Sequence, residues 1–211
     1  PTWESSDITT SADAAESVFA IDMDDDGDID VISFSMGDDK IAWHENNGSQ
    51  SFTAHNVDLN VTAPHIYIFA NDLDQDGDQD ILSPSGPSWY ENNGSESFTE
   101  HDLGDGDQFG IFSIDLDRDG DLDILTAGYS GVYWYQNNGS ESFTKNTISA
   151  INSKSIDAAD IDGDGDIDIL SGTGTNVTGT LYWHENNGSQ SFTSTTIFTS
   201  GESFYFTKAV D

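Results

Sequence analysis

Asp22-Met23-Asp24-Asp25-Asp26-Gly27-Asp28-Ile29-Asp30 sets aspartate at every odd position around a single glycine, and the pattern returns three more times. The other copies run Asp72 to Asp80, Asp115 to Asp123 and Asp160 to Asp168, with glycine at Gly77, Gly120 and Gly165. The opening aspartates are 50, 43 and 45 residues apart, so each loop belongs to a longer repeat. A second landmark follows every loop: Trp43-His44-Glu45-Asn46-Asn47-Gly48-Ser49, then the stretches from Trp89, Trp134 and Trp183. A Phe-Thr pair closes each unit, at Phe52, Phe98, Phe143 and Phe192.

Each unit reads as four short strands. Strand a is apolar and enters the loop, as in Val18-Phe19-Ala20-Ile21; strand b leaves it, as in Ile29 to Phe34. Strand c carries the tryptophan and strand d the Phe-Thr pair. Asn-Gly between c and d is a strong hairpin signal, and a type I′ turn there needs positive φ at both central residues. No stretch sustains a 3.6-residue period, so essentially no helix is expected. A four-stranded unit every 40–50 residues predicts an all-β, β-propeller-type array of four-stranded antiparallel blades, because one such sheet cannot bury both of its faces. The expected divisions of this single repeat domain are 1–17 (terminal strand of a preceding repeat), 18–64, 65–107, 108–152 and 153–202 (four full repeats), and 203–211 (first strand of a further repeat). The recurring tryptophans then fill the gaps between blades.

The loops have the chemistry of a calcium site. Calcium takes six to eight hard oxygen ligands, and alternate aspartates on a tightly curled loop converge on one point. Positions 1, 3 and 5 offer carboxylates: Asp22, Asp24 and Asp26 in the first copy. Gly27 permits the sharp bend. Position 7, Asp28, is expected to ligate through its backbone carbonyl with its side chain toward solvent, and Asp30 at position 9 faces the metal. The same roles fall on Asp72, Asp74, Asp76, Asp78 and Asp80, on Asp115, Asp117, Asp119, Asp121 and Asp123, and on Asp160, Asp162, Asp164, Asp166 and Asp168. One calcium per loop gives four in all. Carboxylates about 5 Å apart repel by roughly 3 kcal/mol per pair at an effective dielectric of 20, a cost that makes sense only around a cation. Magnesium suits the loops less well, since it prefers a smaller octahedral shell and keeps its water.

The rest of the composition narrows the class. Net charge is −35, from 40 acidic and 5 basic side chains, and the loops hold about half of the acids. Nucleic acid is excluded as a partner because no basic patch exists to neutralise phosphates. With 12 Phe, 7 Tyr and 5 Trp the chain is too aromatic for disorder, and with no cysteine it has no disulfides. No apolar run approaches the roughly 20 residues that cross a bilayer. No signal peptide is visible and the first residue is Pro1, which reads as a processed or excised end. An extracellular or cell-surface home, on a bacterium, suits four acidic loops that would stand largely empty at cytosolic calcium levels.

Six sequons occur, at Asn47, Asn60, Asn93, Asn138, Asn176 and Asn187. Four coincide with the hairpin turn and are explained by turn chemistry; Asn60 and Asn176 keep a glycan reading open. The residues after each tryptophan form a column, His44, Tyr90, Tyr135 and His184, on the face opposite the tryptophans. That column reads as ordinary strand residues or as a platform for a sugar or a partner. No nucleophile elbow, reactive cysteine or unique acid pair stands out, so no enzyme is expected.

At its loops the chain resembles the FG-GAP/VCBS repeats of secreted bacterial proteins and the calcium-binding blades of integrin α-subunit propellers. The resemblance implies a β-propeller, commonly seven-bladed, with calcium held between the first two strands of a blade. The Phe-Gly/Gly-Ala-Pro signature of the first family is poorly kept, and only four full units are present. Trp3-Glu4 occupies the Phe-Thr register and Ala209-Val210-Asp211 matches Ala20-Ile21-Asp22, so the sequence opens in a strand d and closes in a strand a. Three readings follow: a fragment of a larger propeller, an incomplete ring whose ends pair with other copies, or four to five units closed by an irregular blade. The expected function is adhesion, recognition or extracellular scaffolding. The alternatives are a fibre subunit assembling head to tail, and a carbohydrate-binding module or polysaccharide-active enzyme.

Overall fold

The structure is a computed structural model, and the residues described are 6–61, 67–95, 97–104, 106, 108–174, 178–202, 204 and 208–209. Trp3, Glu4, Asn176, Val210 and Asp211 lie outside them, so the reading of the two chain ends and one sequon does too. The described residues form sixteen strands and no helix. Sheet 1 holds β1 (Ala15–Ile21), β2 (Asp30–Ser35), β3 (Lys40–Asn46) and β4 (Phe52–Asp58). Sheet 2 holds β5 (Phe69–Asn71), β6 (Asp80–Ser83), β7 (Ser88–Asn92) and β8 (Phe98–Asp102). Sheet 3 holds β9 (Gln108–Ile114), β10 (Asp123–Gly128), β11 (Gly131–Asn137) and β12 (Phe143–Ser149). Sheet 4 holds β13 (Ser155–Ala159), β14 (Asp168–Gly172), β15 (Gly179–Asn186) and β16 (Phe192–Ser200). Every sheet is an antiparallel meander in chain order, one per repeat.

Register is conserved from sheet to sheet. The ninth loop residue opens the second strand opposite the end of the first: Asp30 faces Ile21, Asp80 faces Asn71, Asp123 faces Ile114 and Asp168 faces Ala159. Two residues on, Ile32, Leu82, Leu125 and Leu170 pair with Trp43, Trp89, Trp134 and Trp183. Alternation therefore gives each sheet a tryptophan face and a second face carrying the His/Tyr column.

Tryptophan face packs on column face, three times. Met23, Ile32, Ile41 and Trp43 of sheet 1 form one cluster with Ile68, Ala70, Ile81 and Tyr90 of sheet 2. Leu73, Leu82 and Trp89 then meet Ile111, Ile124 and Tyr135. Leu116, Leu125 and Trp134 meet Ile156, Ala158 and Ile169. Burying a large apolar side chain is worth roughly 1.5–3 kcal/mol, so these three layers dominate the stability. The column is thus interior packing, not a ligand platform. Tyr90, Tyr135, His44 and His184 are all buried. His184 accepts or donates to Ser171 and Ser194 at 2.8 and 2.7 Å, and burial pulls its pKa down to about 4, which keeps the ring neutral.

The first strands of the four sheets lie side by side, and β1, residues 67–69, β9 and β13 line one cavity of about 380 Å³. Phe19, Phe69 and Phe112 stand at the same register in three of them, with ring centroids 5.1 and 6.4 Å apart.

The hairpin between the third and fourth strands differs from the expected type I′ turn. Asn46 pairs with Phe52, which leaves a five-residue connection rather than a two-residue one. Gly48 and Gln50 take positive φ (73° and 62°), and Asn47 does not. The Asn47 side chain supplies the turn instead: its Oδ1 accepts the Ser49 N–H and hydroxyl at 3.0 and 3.1 Å. Asn93, Asn138 and Asn187 do the same for the next serine N–H, which gives four of the sequons a turn role.

Candidate metal centres

In every loop, backbone N–H groups pull the aspartates inward. Gly27 N–H donates to Asp22 Oδ2 at 3.0 Å, Asp26 N–H to Asp24 Oδ1 at 3.3 Å, and Asp28 N–H to Asp26 Oδ1 at 2.8 Å. The set recurs on Asp72, Asp74 and Asp76, on Asp115, Asp117 and Asp119, and on Asp160, Asp162 and Asp164. Each carboxylate except that of Asp160 thereby commits one oxygen to the curl and leaves the other for something else. The sixth position carries the bend, at φ 94° to 105° for Gly27, Gly77, Gly120 and Gly165. The fourth is left-handed as well: Asp25, Gln75 and Arg118 sit at φ 61° to 62°, and only the last copy has glycine there, Gly163.

The ninth aspartate does more than face the loop centre. Asp30 is wholly buried; its Oδ2 accepts from Met23 N–H (3.1 Å) and the Trp43 indole (3.0 Å), and its Oδ1 from Asn46 N–H (2.7 Å). Asp80, Asp123 and Asp168 accept the corresponding N–H of Asn92, Asn137 and Asn186 at 2.7–2.8 Å. Each asparagine side chain also returns a bond to the residue before the aspartate, as Asn46 Nδ2 does to the Ile29 carbonyl. The ninth position therefore fastens the loop to the tryptophan strand. Sequence reasoning missed this clamp, although the constant three-residue step from Trp to Asn was its trace.

The seventh position departs from the expected solvent-facing side chain. Asp28, Asp78, Asp121 and Asp166 are half-buried, with a carboxylate oxygen laid against the glycine of the adjacent hairpin. A Cβ on Gly48, Gly94, Gly139 or Gly188 would stand 2.3–2.5 Å from that oxygen. Those glycines are required by contact with the loop as well as by their φ.

Four sets of carboxylate oxygens lie within 4.8 Å of one another: Asp22, Asp24 and Asp30; Asp72, Asp74 and Asp80; Asp115, Asp117 and Asp119; Asp160, Asp162 and Asp164. The fifth- and seventh-position aspartates of the first two loops fall outside their sets, as do the seventh- and ninth-position aspartates of the last two. The donor set is all hard oxygen, as calcium or magnesium requires. A sharper observation comes from the first position. Asp22, Asp72 and Asp115 each hold a buried Oδ1 that meets no hydrogen-bond donor among the described residues. A buried, unpaired carboxylate oxygen costs several kcal/mol unless a cation reaches it. The residues of these three loops fit a bound cation. Asp160 differs: it is exposed, and its two oxygens accept from Gly163 N–H at 2.8 Å and Gly165 N–H at 3.1 Å.

The electrostatics point the same way. Burial drives the Asp80 carboxyl up to about 7 and that of Asp123 up to about 6, against the N–H bonds that hold them charged. Asp24 and Asp74 are also raised, by burial first and then by neighbouring carboxylates. Beyond the loops, Glu45 pairs with His55 at 2.8 Å and Glu91 with His101 at 2.6 Å, each histidine stacked on its tryptophan, Trp43 or Trp89. Gln136, at the same position of the third repeat, donates to Asp117 Oδ2 at 2.6 Å.

A family model described as an FG-GAP-like repeat matches residues 22–83, 72–126 and 115–171, and the chain belongs to this family. Each match runs from one acidic loop through the next. Two solved structures share the fold. One is of an Agrocybe aegerita lectin described as recognising non-reducing terminal N-acetylglucosamine, 24% identical with a TM-score of 0.57; the alignment covers 85% of this chain and 51% of the lectin. The other is the V. cholerae biofilm matrix protein Bap1, 17% identical with a TM-score of 0.59, covering 88% of this chain and 28% of that one. The chain thus spans about half or less of either relative's length. No curated protein matches it. No helix among the described residues is long and apolar enough to cross a membrane.

Proposed function

We propose that the chain is a calcium-binding β-propeller module of an extracellular or cell-surface protein, non-enzymatic, serving adhesion, recognition or scaffolding. The observation that carries this reading is the buried, unpaired Oδ1 of Asp22, Asp72 and Asp115, each beside a second and third carboxylate. A divalent cation at each would take up that oxygen, offset the mutual repulsion and lock the loop to its hairpin and to the next sheet. Side-by-side first strands around one cavity, with three like-for-like packed layers between sheets, support a propeller arrangement of the sheets as blades. The lectin and biofilm-matrix neighbours support recognition or matrix roles outside the cell.

Isothermal titration of chelator-stripped protein tests the reading. Calcium is expected to bind at three sites in the micromolar range with a weaker fourth, and magnesium far less well. A site with a Kd of about 10 µM in about 2 mM calcium stabilises the fold by roughly 3 kcal/mol. That corresponds to a Tm gain of about 6–12 °C per site for a domain of this size. A melting curve unmoved by excess chelator defeats the proposal. Turnover of a polysaccharide would overturn the non-enzymatic part alone, whereas calcium-dependent retention on a glycan array without turnover would specify the recognition role.

A further inference from the structure

The residue two places after each tryptophan varies where the rest of the hairpin is constant. It is Glu45, Glu91, Gln136 and Glu185 in the four repeats. Alternation puts it on the tryptophan face, one residue before the asparagine that the ninth aspartate clamps. The third repeat shows how far a side chain reaches from there: Gln136 Nε2 lies 2.6 Å from Oδ2 of Asp117, the third-position aspartate. In the first two repeats a carboxylate takes the place of that amide. Burial, then Asp30 and Asp26, and also Glu45 raise the Asp24 carboxyl; burial, then Asp76, Asp72 and Glu91 raise that of Asp74. Where the amide donates, a carboxylate repels, unless a cation lies between the two acids.

The glutamates of the first two repeats are also held in place. Glu45 Oε2 pairs with His55 Nε2 at 2.8 Å, and Glu91 Oε2 with His101 Nε2 at 2.6 Å. Each imidazole is stacked on its tryptophan, with ring centroids 4.5 and 4.4 Å apart. One oxygen of each glutamate is thus fixed by a histidine, and among the described residues no donor meets the other. Strand register sets the histidines opposite Trp43 and Trp89; Asn146 and Thr195 stand there in the third and fourth repeats. The two repeats with the Glu-His pair are the two whose carboxylate sets include the ninth aspartate, the residue fastened to the tryptophan strand.

Ligand number makes the same demand. Calcium takes six to eight oxygens. In loop 1 the curl occupies one oxygen each of Asp22, Asp24 and Asp26. Asp30 already spends both of its oxygens on the N–H groups of Met23, Asn46 and Trp43. Two oxygens on one calcium, each at about 2.4 Å, stand roughly 3 Å apart, which is close to the reach that Gln136 displays.

We propose that Glu45 and Glu91 are further cation-binding residues of loops 1 and 2, each lending Oε1 to the ion, and that His55 and His101 are the positioning residues that hold them there. Loop 3 lacks the added oxygen, and its Gln136 occupies one oxygen of Asp117 instead. Ligand charge and number set calcium affinity, so loops 1 and 2 bind calcium more tightly than loop 3. They also discriminate more strongly against magnesium, whose smaller octahedral shell has less use for an extra ligand. The inference rests on the reading of the loops as cation sites, and it ranks them by a residue outside the nine-position pattern.

Calorimetric titration of the chelator-stripped chain, with calcium and separately with magnesium, tests it. Glu45→Gln and Glu91→Gln are each expected to weaken one tight calcium site by about tenfold or more, and His101→Leu by about 10–100-fold. Gln136→Glu with Asn146→His transplants the pair and is expected to bring a third site into the tight class. Glu100→Gln makes the same charge change at an exposed position away from the loops, and is expected to leave every constant within about twofold. Melting curves separate ligation from a merely structural ion pair. In chelator the two glutamine variants are expected to melt no lower than wild type, since a repelling charge is gone; in calcium they lose part of the gain. Constants that fall no further than in Glu100→Gln, or a Tm that falls equally with and without calcium, would overturn the inference while the loops still bind. A wild-type chain that binds no calcium at all would overturn the reading of the loops along with it.

Discussion

Loops 1 to 3 and loop 4 follow one nine-position pattern, yet their surroundings differ. In the first three, the residue at position 2 (Met23, Leu73, Leu116) is driven into the layer shared with the next sheet. That insertion carries the first-position aspartate inward, and Asp22, Asp72 and Asp115 each keep a buried, unpaired oxygen. In loop 4 no described sheet lies beyond; Ile161 stays at the surface, and Asp160 spends both oxygens on glycine N–H groups. The cation site is therefore a product of the repeat and its neighbour together. The loop supplies the ligands, and the following sheet supplies the desolvation that leaves one oxygen in need of a cation.

The largest expected effect contrasts two tryptophans. Trp89→Ala, in the layer between sheets 2 and 3, is expected to cost about 3–5 kcal/mol, and Trp183→Ala, on the uncovered face, less than half as much in the monomer. Urea denaturation of both reads the difference; equal losses would mean that sheet 4 is as well covered as sheet 2. Next, Asp72→Asn is expected to remove one bound calcium and about 6–12 °C of Tm in calcium. Asp160→Asn is expected to lower Tm by less than half of that, and a larger loss from Asp160→Asn would reverse the ranking of the loops.

The smallest effect is one of pH. The Asp80 and Asp123 carboxyls titrate higher in the folded chain than in the unfolded one, so their protonation favours folding. In cation-free protein that stabilisation is complete below about pH 4 and is lost as pH rises through about 6 to 7. Thermal melts in chelator should give a higher Tm at pH 5 than at pH 8 on account of these groups, and the double variant Asp80→Asn with Asp123→Asn should flatten the trend. Saturating calcium should oppose it, since the ion holds the charged form.

Much of the fold was legible because the repeat is strict. The Asp loops, the Trp-x-x-Asn step and the Phe-Thr pairs mark three element boundaries in each unit, and the four sheets follow them. Boundaries shifted slightly: β1 begins at Ala15 and β2 at Asp30, because pairing reaches further than the apolar run. The Asn-Gly turn was legible as a hairpin but misread in type, since Asn47 closes it through its side chain and Gly48 also yields room to Asp28. The clamp from Asp30 to Asn46 and Trp43 was not legible, for its partners lie 16 and 13 residues away and meet only once the strands pair.

The sequence by itself determined the oxygen-rich loops, their bends and the four-stranded unit, because all of these follow from neighbours within a few residues: alternate carboxylates, a glycine that tolerates positive φ, and apolar alternation. Only the tertiary structure decided which loops differ. Four near-identical stretches acquire unequal burial, unequal hydrogen bonding and unequal exposure from what is stacked against them. Desolvation is a property of the surroundings, and no local pattern encodes whether a sheet has a neighbour.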